Sequence, residues 1–501
     1  AYDKAAGIFL NSMKVAEVIS SYFLNNYAAA VGGGALVIES GRIYISVNSS
    51  FIRNKSIKGG VMSSIYQMSI LNLHCTFILN QAHEGAVQFF DSGNSLINKN
   101  SKFVQNFASY GGAMRIKKAS KVFNLKSVFG VNTAKRRGGV IYSTDALRIV
   151  NMDSNFLHNK AHFDAGVTFI ENFESVVNFH CLFLNNSAER NGGAAMLIQG
   201  HFLTNNRDHL FGNNAYDSGG IYHLVNVKKL YIATSMIIDN TAYEKAGGIF
   251  AEKVQKVIIT KTSAMMNAAK EGGFSYFAGS DLVYIQQCVL FRNMAVGQHY
   301  TGGAVFTVIN VKVTMLNRCT FNKNKGKRHG GTVYLSGGKG DERLYAESSN
   351  FTCNMADLNG AALYVSYART IYISHSVFSH NYAKRRGGSL AILLNSKTTS
   401  DIHLMETYFN NNSAKEEGSA MYITGASVTK ISMSKVKDSL NEDRKNLITL
   451  HSAILSINHV TFSNLAREQS SIQVAINTIK LLDNLHFNCP FFSFLQAQYL
   501  D

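Results

Sequence analysis

Two His-Cys pairs, His74-Cys75 and His180-Cys181, are the residues of this chain whose types most directly suggest chemistry, that of a metal site. Neighbouring residues on a strand point to opposite faces, however, so each His is expected in solvent and each Cys in the core. Cys75, Cys181, Cys288 and Cys319 all stand two residues before a recurring core position, an inward column in which a thiol serves as a small apolar residue. Only Cys288 and Cys319 fall in consecutive repeats, near disulfide distance, and they form the candidate disulfide. Basic runs come next: AKRRGG at 134–139 and 383–388, and GKRHGG at 326–331. The chain carries 49 Lys+Arg against 32 Asp+Glu, a net charge of +17, which permits an acidic partner. The runs are spread over many repeats, so they read as solvated turn residues, and no nucleic-acid partner is expected. Sequons at Asn48, Asn54, Asn185, Asn350 and Asn411 offer a third chemistry, N-glycosylation.

All of these residues sit inside one repeat. Asparagines recur at Asn26, Asn54, Asn80, Asn106, Asn132, Asn159, Asn186, Asn213, Asn240, Asn267, Asn293, Asn324, Asn354, Asn381 and Asn412, spaced 26–28 residues apart up to Asn293 and 27–31 beyond it. Three residues before each stands Phe in eleven repeats and Leu, Ile or Ala in four (Leu210, Ile237, Ala264, Leu290), an inward core slot. Two residues after each stands Ala, with Ser56 and Gly326 as the exceptions, so space there is tight. A glycine slot follows in every repeat, from Gly33 to Gly418, which predicts a turn that a β-carbon would spoil. The runs between these landmarks alternate apolar and polar residues and are rich in Ile, Val, Tyr and Phe, as strands are.

Three short strands and three turns in about 27 residues make one coil of a parallel β-helix. An α-helical repeat would show a 3.6-residue period, and a left-handed β-helix hexapeptide punctuation; neither is present, so the expected fold is all-β, a right-handed parallel β-helix. A single proline, Pro490, agrees with a backbone paired nearly everywhere, and the absence of Trp suits a narrow core. Stacked coils would place like asparagines about 4.8 Å apart, where their amides bond to one another as a ladder. Asn also tolerates the left-handed backbone of a sharp turn. Asn54 would then be buried and closed to glycosylation. Asn185 and Asn411, in the polar slot before the ladder, should face out, which leaves Asn48, Asn185, Asn350 and Asn411 as candidate glycan sites.

Phe-x-x-Asn paired with Gly-Gly-Ala, as in FVQNFASYGGA (103–113) and FLNNSAERNGGA (183–194), resembles the repeats of polymorphic outer membrane proteins. It is also similar to large β-helix surface proteins of protists, known broadly as pectin-lyase-like. The resemblance covers about residues 1–425 and implies a surface-displayed, adhesive or structural protein. The Asn-, Lys-, Ile- and Tyr-rich composition is similar to that of a protist with an AT-rich genome, and these 501 residues include no autotransporter-type barrel. Polysaccharide lyases and hydrolases share the fold, but they need clustered carboxylates or an acidic metal set in a cleft walled by long loops. No Asp-Asp pair occurs here, and the turns are short. Arg115-Ile116-Lys117 matches one polygalacturonase motif without its Asp-Asp and Gly-His-Gly companions. No catalytic, cofactor-binding or metal residue is therefore assigned.

The expected function is a non-enzymatic extracellular or cell-surface rod, adhesive or structural, serving as a coat or filament segment. The alternatives are a carbohydrate-binding or polysaccharide-degrading protein that uses the basic turns, and an intracellular scaffold. Acidic glycans and other surface proteins are the expected partners. AYDKAAGIF at 1–9 matches AYEKAGGIF at 242–250, so the sequence opens in mid-coil. That predicts a cross-section covered by further coils of a longer parent chain or, in a filament, by another copy stacked head-to-tail. Residues 1–425 read as the regular array and 426–501 as degenerate coils or a cap. No apolar run is long enough to span a bilayer.

Overall fold

The structure is a computed structural model that describes residues 7–29, 32–298, 302–338, 340–394, 400–432, 434–437, 448–458, 461–463, 472–483 and 486–488; Pro490 and most of the opening AYDKAAGIF lie outside them. It is a parallel β-helix of three sheets, with no helix among the described residues. Two compact units make up the chain, Ala1–Tyr243 with Gly247–Ala251, and Glu244–Ala246 with Glu252–Asp501.

One turn of the first unit shows the plan. Ile141–Thr144 and Arg148–Met152 lie in the first sheet, Asn155–Leu157 in the second and Lys160–Ala161 in the third. Each strand pairs in parallel with its equivalent one repeat later, as Phe129 pairs with Phe156 and Phe156 with Phe183. The first-sheet leg is longer than the sequence suggests. It is two strands broken by a kink in most turns and one 12-residue strand in others, such as Thr168–Phe179 and Ala195–Asn206.

The inward slots are filled as expected. Phe51, Phe77, Phe103, Phe129, Phe156 and Phe183 stack with ring centroids 4.6–5.1 Å apart, and Phe321, Phe351, Phe378 and Phe409 repeat the stack in the second unit. Where Ala264 and Leu290 interrupt that column, Phe277 and Phe306 come together at 5.8 Å instead.

Asn26, at the first turn of the ladder, is half-buried; the other fourteen asparagines are buried. Asn54 donates from its backbone N–H (2.9 Å) and its Nδ2 (3.1 Å) to Asn80 Oδ1, and its Nδ2 also reaches the carbonyl of Phe23 at 3.0 Å. The left-handed conformation is not on these residues. It falls on the residue before each, whatever its type: Arg53, Leu79, Val131 and Met266 all have φ of 54–57°. The ladder asparagine thus follows the corner and pins it from inside.

The glycine slot divides into two. The first position takes φ near +65°, as at Gly138 and Gly192, and an L-residue stands there at Ala165 and Ala246. The second lies against the next turn, where a Cβ on Gly193 would fall 2.1 Å from the Gly220 carbonyl oxygen.

Beyond Met421–Ser432 the first and second sheets continue, with Met421 paired to Ile448 and Ile448 to Ile472. Third-sheet strands end at Ser413–Ala414 among the described residues.

Candidate functional site: a cationic cleft on the first unit

The outer face of the first sheet carries a column of large side chains, in which Phe89 pairs in register with Arg115, Arg115 with Tyr142, and Tyr142 with Phe169. An apolar outer column needs a cover, and the basic turns supply it. Arg137, the last cation of the first AKRRGG, lies over the Phe169 ring at 4.6 Å, and Arg386 of the second lies over Tyr422 at 5.0 Å. In GKRHGG the same place belongs to His329, 4.4 Å from the Tyr364 ring. The residue just before the glycines is therefore a packing element, held by the attraction of a cation to an aromatic face. Its neighbours Arg136 and Arg385 remain exposed. In AKRRGG the solvated reading describes the exposed lysine and first arginine, while the second arginine packs on a ring.

On the first unit this cover leaves a cleft of about 450 Å³, within the size range of small-ligand sites. Arg115 forms its floor, only 6% exposed. Its guanidinium lies 4.0 Å from the Tyr142 ring centroid, donates from Nη1 to the Ile116 and Tyr142 carbonyls at 3.0 and 3.3 Å, and pairs through Nε with Glu84 at 3.5 Å. Burial lowers the Arg115 pKa, and the nearby Tyr142 and Glu84 act against that shift. Lys117 shares Glu84, also at 3.5 Å. Arg136, Phe163 and Arg190 form the rim. Arg137 is paired to Asp164 at 3.3 Å and Glu171 at 3.5 Å. Five cations and one carboxylate line the space, an arrangement that binds anions. Arg115 and Lys117, matched in sequence to a hydrolase motif, serve here as a covered platform and its partner.

A second groove runs past His180, whose Nδ1 lies 2.8 Å from Asp153 Oδ1, and past His209 and Phe211. Cys181 borders it with its sulfur turned inward, and burial pushes that thiol up to about 12, so it is no nucleophile at neutral pH. Both His-Cys pairs divide between solvent and core, but His74 and His180 are left-handed corner residues (φ 54° and 53°) rather than strand residues. Among the described residues no three or more His, Cys, Asp and Glu side chains are grouped to hold a metal ion.

The cysteine column proves to be a hydroxyl column. At five residues before each ladder asparagine stand Ser49, Cys75, Ser101, Ser127 and Ser154 in succession. Each serine oxygen accepts the N–H of the equivalent residue one turn earlier, as Ser101 does from Cys75 at 3.1 Å. Cys288 and Cys319 are free thiols in this column on successive turns, donating to the Gln286 and Asn317 carbonyls at 3.2 and 3.3 Å. The contact with Cys319, and after it burial, raise the Cys288 pKa. A further ladder joins Asn72, Asn98, Asn124, Asn151 and Asn178 at 2.7–3.0 Å. Its signal was an Asn eight residues before the main one.

Among the glycan candidates, Asn48, Asn185 and Asn350 are exposed. Asn411 is half-buried with its Nδ2 3.4 Å from His380 Nε2, and Asn54 is fully buried in the ladder. No family model matches the chain, and no curated protein matches it either.

Proposed function

We propose that this chain is a non-enzymatic structural or adhesive β-helix of the extracellular space or cell surface, akin to the polymorphic outer membrane and pectin-lyase-like surface repeats that its motifs resemble. One observation carries the reading: the recurrent polar residues, which in an enzyme would converge on a substrate, are spent on stacking. The ladder asparagines donate through Nδ2 to a carbonyl of the preceding turn, as Asn54 does to Phe23 and Asn412 to Phe378, and the hydroxyl column also joins turn to turn, the Cys75 N–H donating to Ser101 Oγ. Such a body presents short turns as a repetitive outer surface, the property of a coat or adhesin.

A second reading, a carbohydrate-binding β-helix, is favoured by the cationic cleft. Mass spectrometry of protein isolated from its natural source tests the location. Glycans on Asn185 and Asn350 and an unmodified Asn54 are expected. Bare sequons would replace both readings with an intracellular scaffold.

A further inference from the structure

We propose that the cleft of the first unit binds a short anionic oligosaccharide, held by Arg136 and Arg190 with a sugar ring against Phe163 and a sugar hydroxyl on Glu84. The inference rests on the carbohydrate-binding reading and gives it a site and a ligand chemistry.

Backbone hydrogen bonds stack Arg136, Phe163, Arg190 and Asp217 on four consecutive turns, from Phe163 N–H to Arg136 (2.9 Å), Arg190 N–H to Phe163 (2.9 Å) and Asp217 N–H to Arg190 (2.8 Å). At about 4.8 Å per turn the two arginines stand roughly 10 Å apart with an aromatic ring between them. Phe163 is 45% exposed, an apolar face left open between two cations. Arg136 bonds only the Tyr110 hydroxyl at 3.0 Å and has no carboxylate in ion-pairing reach among the described residues. Arg190 meets Asp217 only at 3.7 Å. Both guanidiniums are thus available for the forked hydrogen bonds that carboxylate and sulfate groups accept.

Two features narrow the ligand. Asp217 ends the cationic column, so a long polyanion following the stack would meet a like charge after three turns. Inside the cleft, Glu84 Oε2 is buried and accepts no hydrogen bond, although two cations stand 3.5 Å away. A simple anion would be repelled there. A ligand that is both acidic and rich in hydroxyl groups satisfies the orphan acceptor and the arginines together, and a sugar ring also offers a flat C–H face to Phe163. Carboxylated and sulfated sugars share this chemistry.

The test is calorimetric titration of the whole chain with a uronic-acid trisaccharide, a sulfated disaccharide, the methyl-esterified and desulfated forms of each, and inorganic sulfate. At least one charged saccharide should bind about tenfold or more tightly than its neutral form and than inorganic sulfate, and the one that binds identifies the anionic group. Arg136→Gln and Arg190→Gln should each weaken it about tenfold and flatten its salt dependence. Phe163→Ala should weaken the saccharide and leave inorganic sulfate unchanged. Arg385→Gln, in the matching turn of the second unit and paired to Glu416 at 3.0 Å, should change nothing. Melting curves matching the parent protein establish that the variants are folded. Failure of every saccharide to bind, binding no tighter than that of inorganic sulfate, or affinity undiminished in Arg136→Gln and Arg190→Gln overturns the proposal. None of these results touches the surface-protein reading, which the glycan analysis decides separately.

Discussion

Asp208 stands in the column that Ser, Thr or Cys fills in other turns, and it behaves as a serine with an added cost. Its Oδ1 accepts the Cys181 N–H at 2.8 Å, as a serine oxygen would, while its Oδ2 is buried without a hydrogen-bond partner. Burial pushes the carboxyl up from 3.8 to about 7, against the hydrogen bonds from Cys181, Asn205 and Asn206. The folded state therefore holds a proton that the unfolded chain releases between about pH 4 and 7, and stability falls as pH rises through that window. Half-buried His223 and His329, both lowered to about 4 by desolvation, act the other way: the unfolded chain binds protons that they refuse, so their contribution grows from pH 4 to 6.5. Asp208→Ser should keep the acceptor, melt higher than the parent at pH 7.5, and show only the rising histidine trend. A melting profile parallel to the parent's from pH 4.5 to 7.5 would reject the neutral-acid assignment.

An asparagine of the ladder holds two turns at once, so its loss is felt beyond its own position. Asn159 Oδ1 accepts the backbone N–H and Nδ2 of Asn132, both at 3.0 Å, and its Nδ2 donates to the Phe129 carbonyl at 2.9 Å and to Asn186 Oδ1 at 3.0 Å. Asn159→Ala leaves the Asn132 N–H buried and unpaired, which should cost roughly 1–3 kcal/mol in urea titration; an unchanged midpoint would remove the ladder from the stabilising forces. The third-sheet turn makes a different demand. Gly192 has φ +67°, yet Ala165 occupies the same slot one turn earlier at φ 64°. Gly192→Ala should therefore cost only about 1–2 kcal/mol, while Gly192→Val, β-branched at positive φ, should cost distinctly more. Equal midpoints for the two variants would show that the corner relaxes to admit either.

At the scale of the molecule, the positive charge is organised by the stacking of turns. Several turn cations meet a carboxylate one turn away, as Lys160 meets Glu189 at 2.9 Å and Lys384 meets Asp357 at 2.9 Å. Others lie on aromatic rings of a neighbouring turn, as Lys245 lies 4.5 Å from the Tyr276 ring centroid. Exposed pairs of this kind add little stability singly. On the first unit, stacking also brings five cations and one acid together in one cleft.

The ladder, the phenylalanine stack and the coil itself were legible in the sequence because a parallel stack puts like residues on like, and a slot that admits one chemistry shows as one letter at a fixed interval. The hydroxyl column was harder to see, since Ser, Thr, Cys and Asp can all fill it by accepting or donating one hydrogen bond. The left-handed corners were invisible: their residues range from Arg53 to Val131, because the asparagine behind each corner, rather than the corner residue, supplies the restraint. Only the tertiary structure decided which arginine of AKRRGG lies on an aromatic ring. That depends on an aromatic ring 32 residues on from Arg137 and 36 on from Arg386, an interval that shifts with every change in coil length. The cleft is more distant still from the sequence. Glu84, Arg115, Arg136, Phe163 and Arg190 belong to successive turns, and they become one site because each turn stacks on the last.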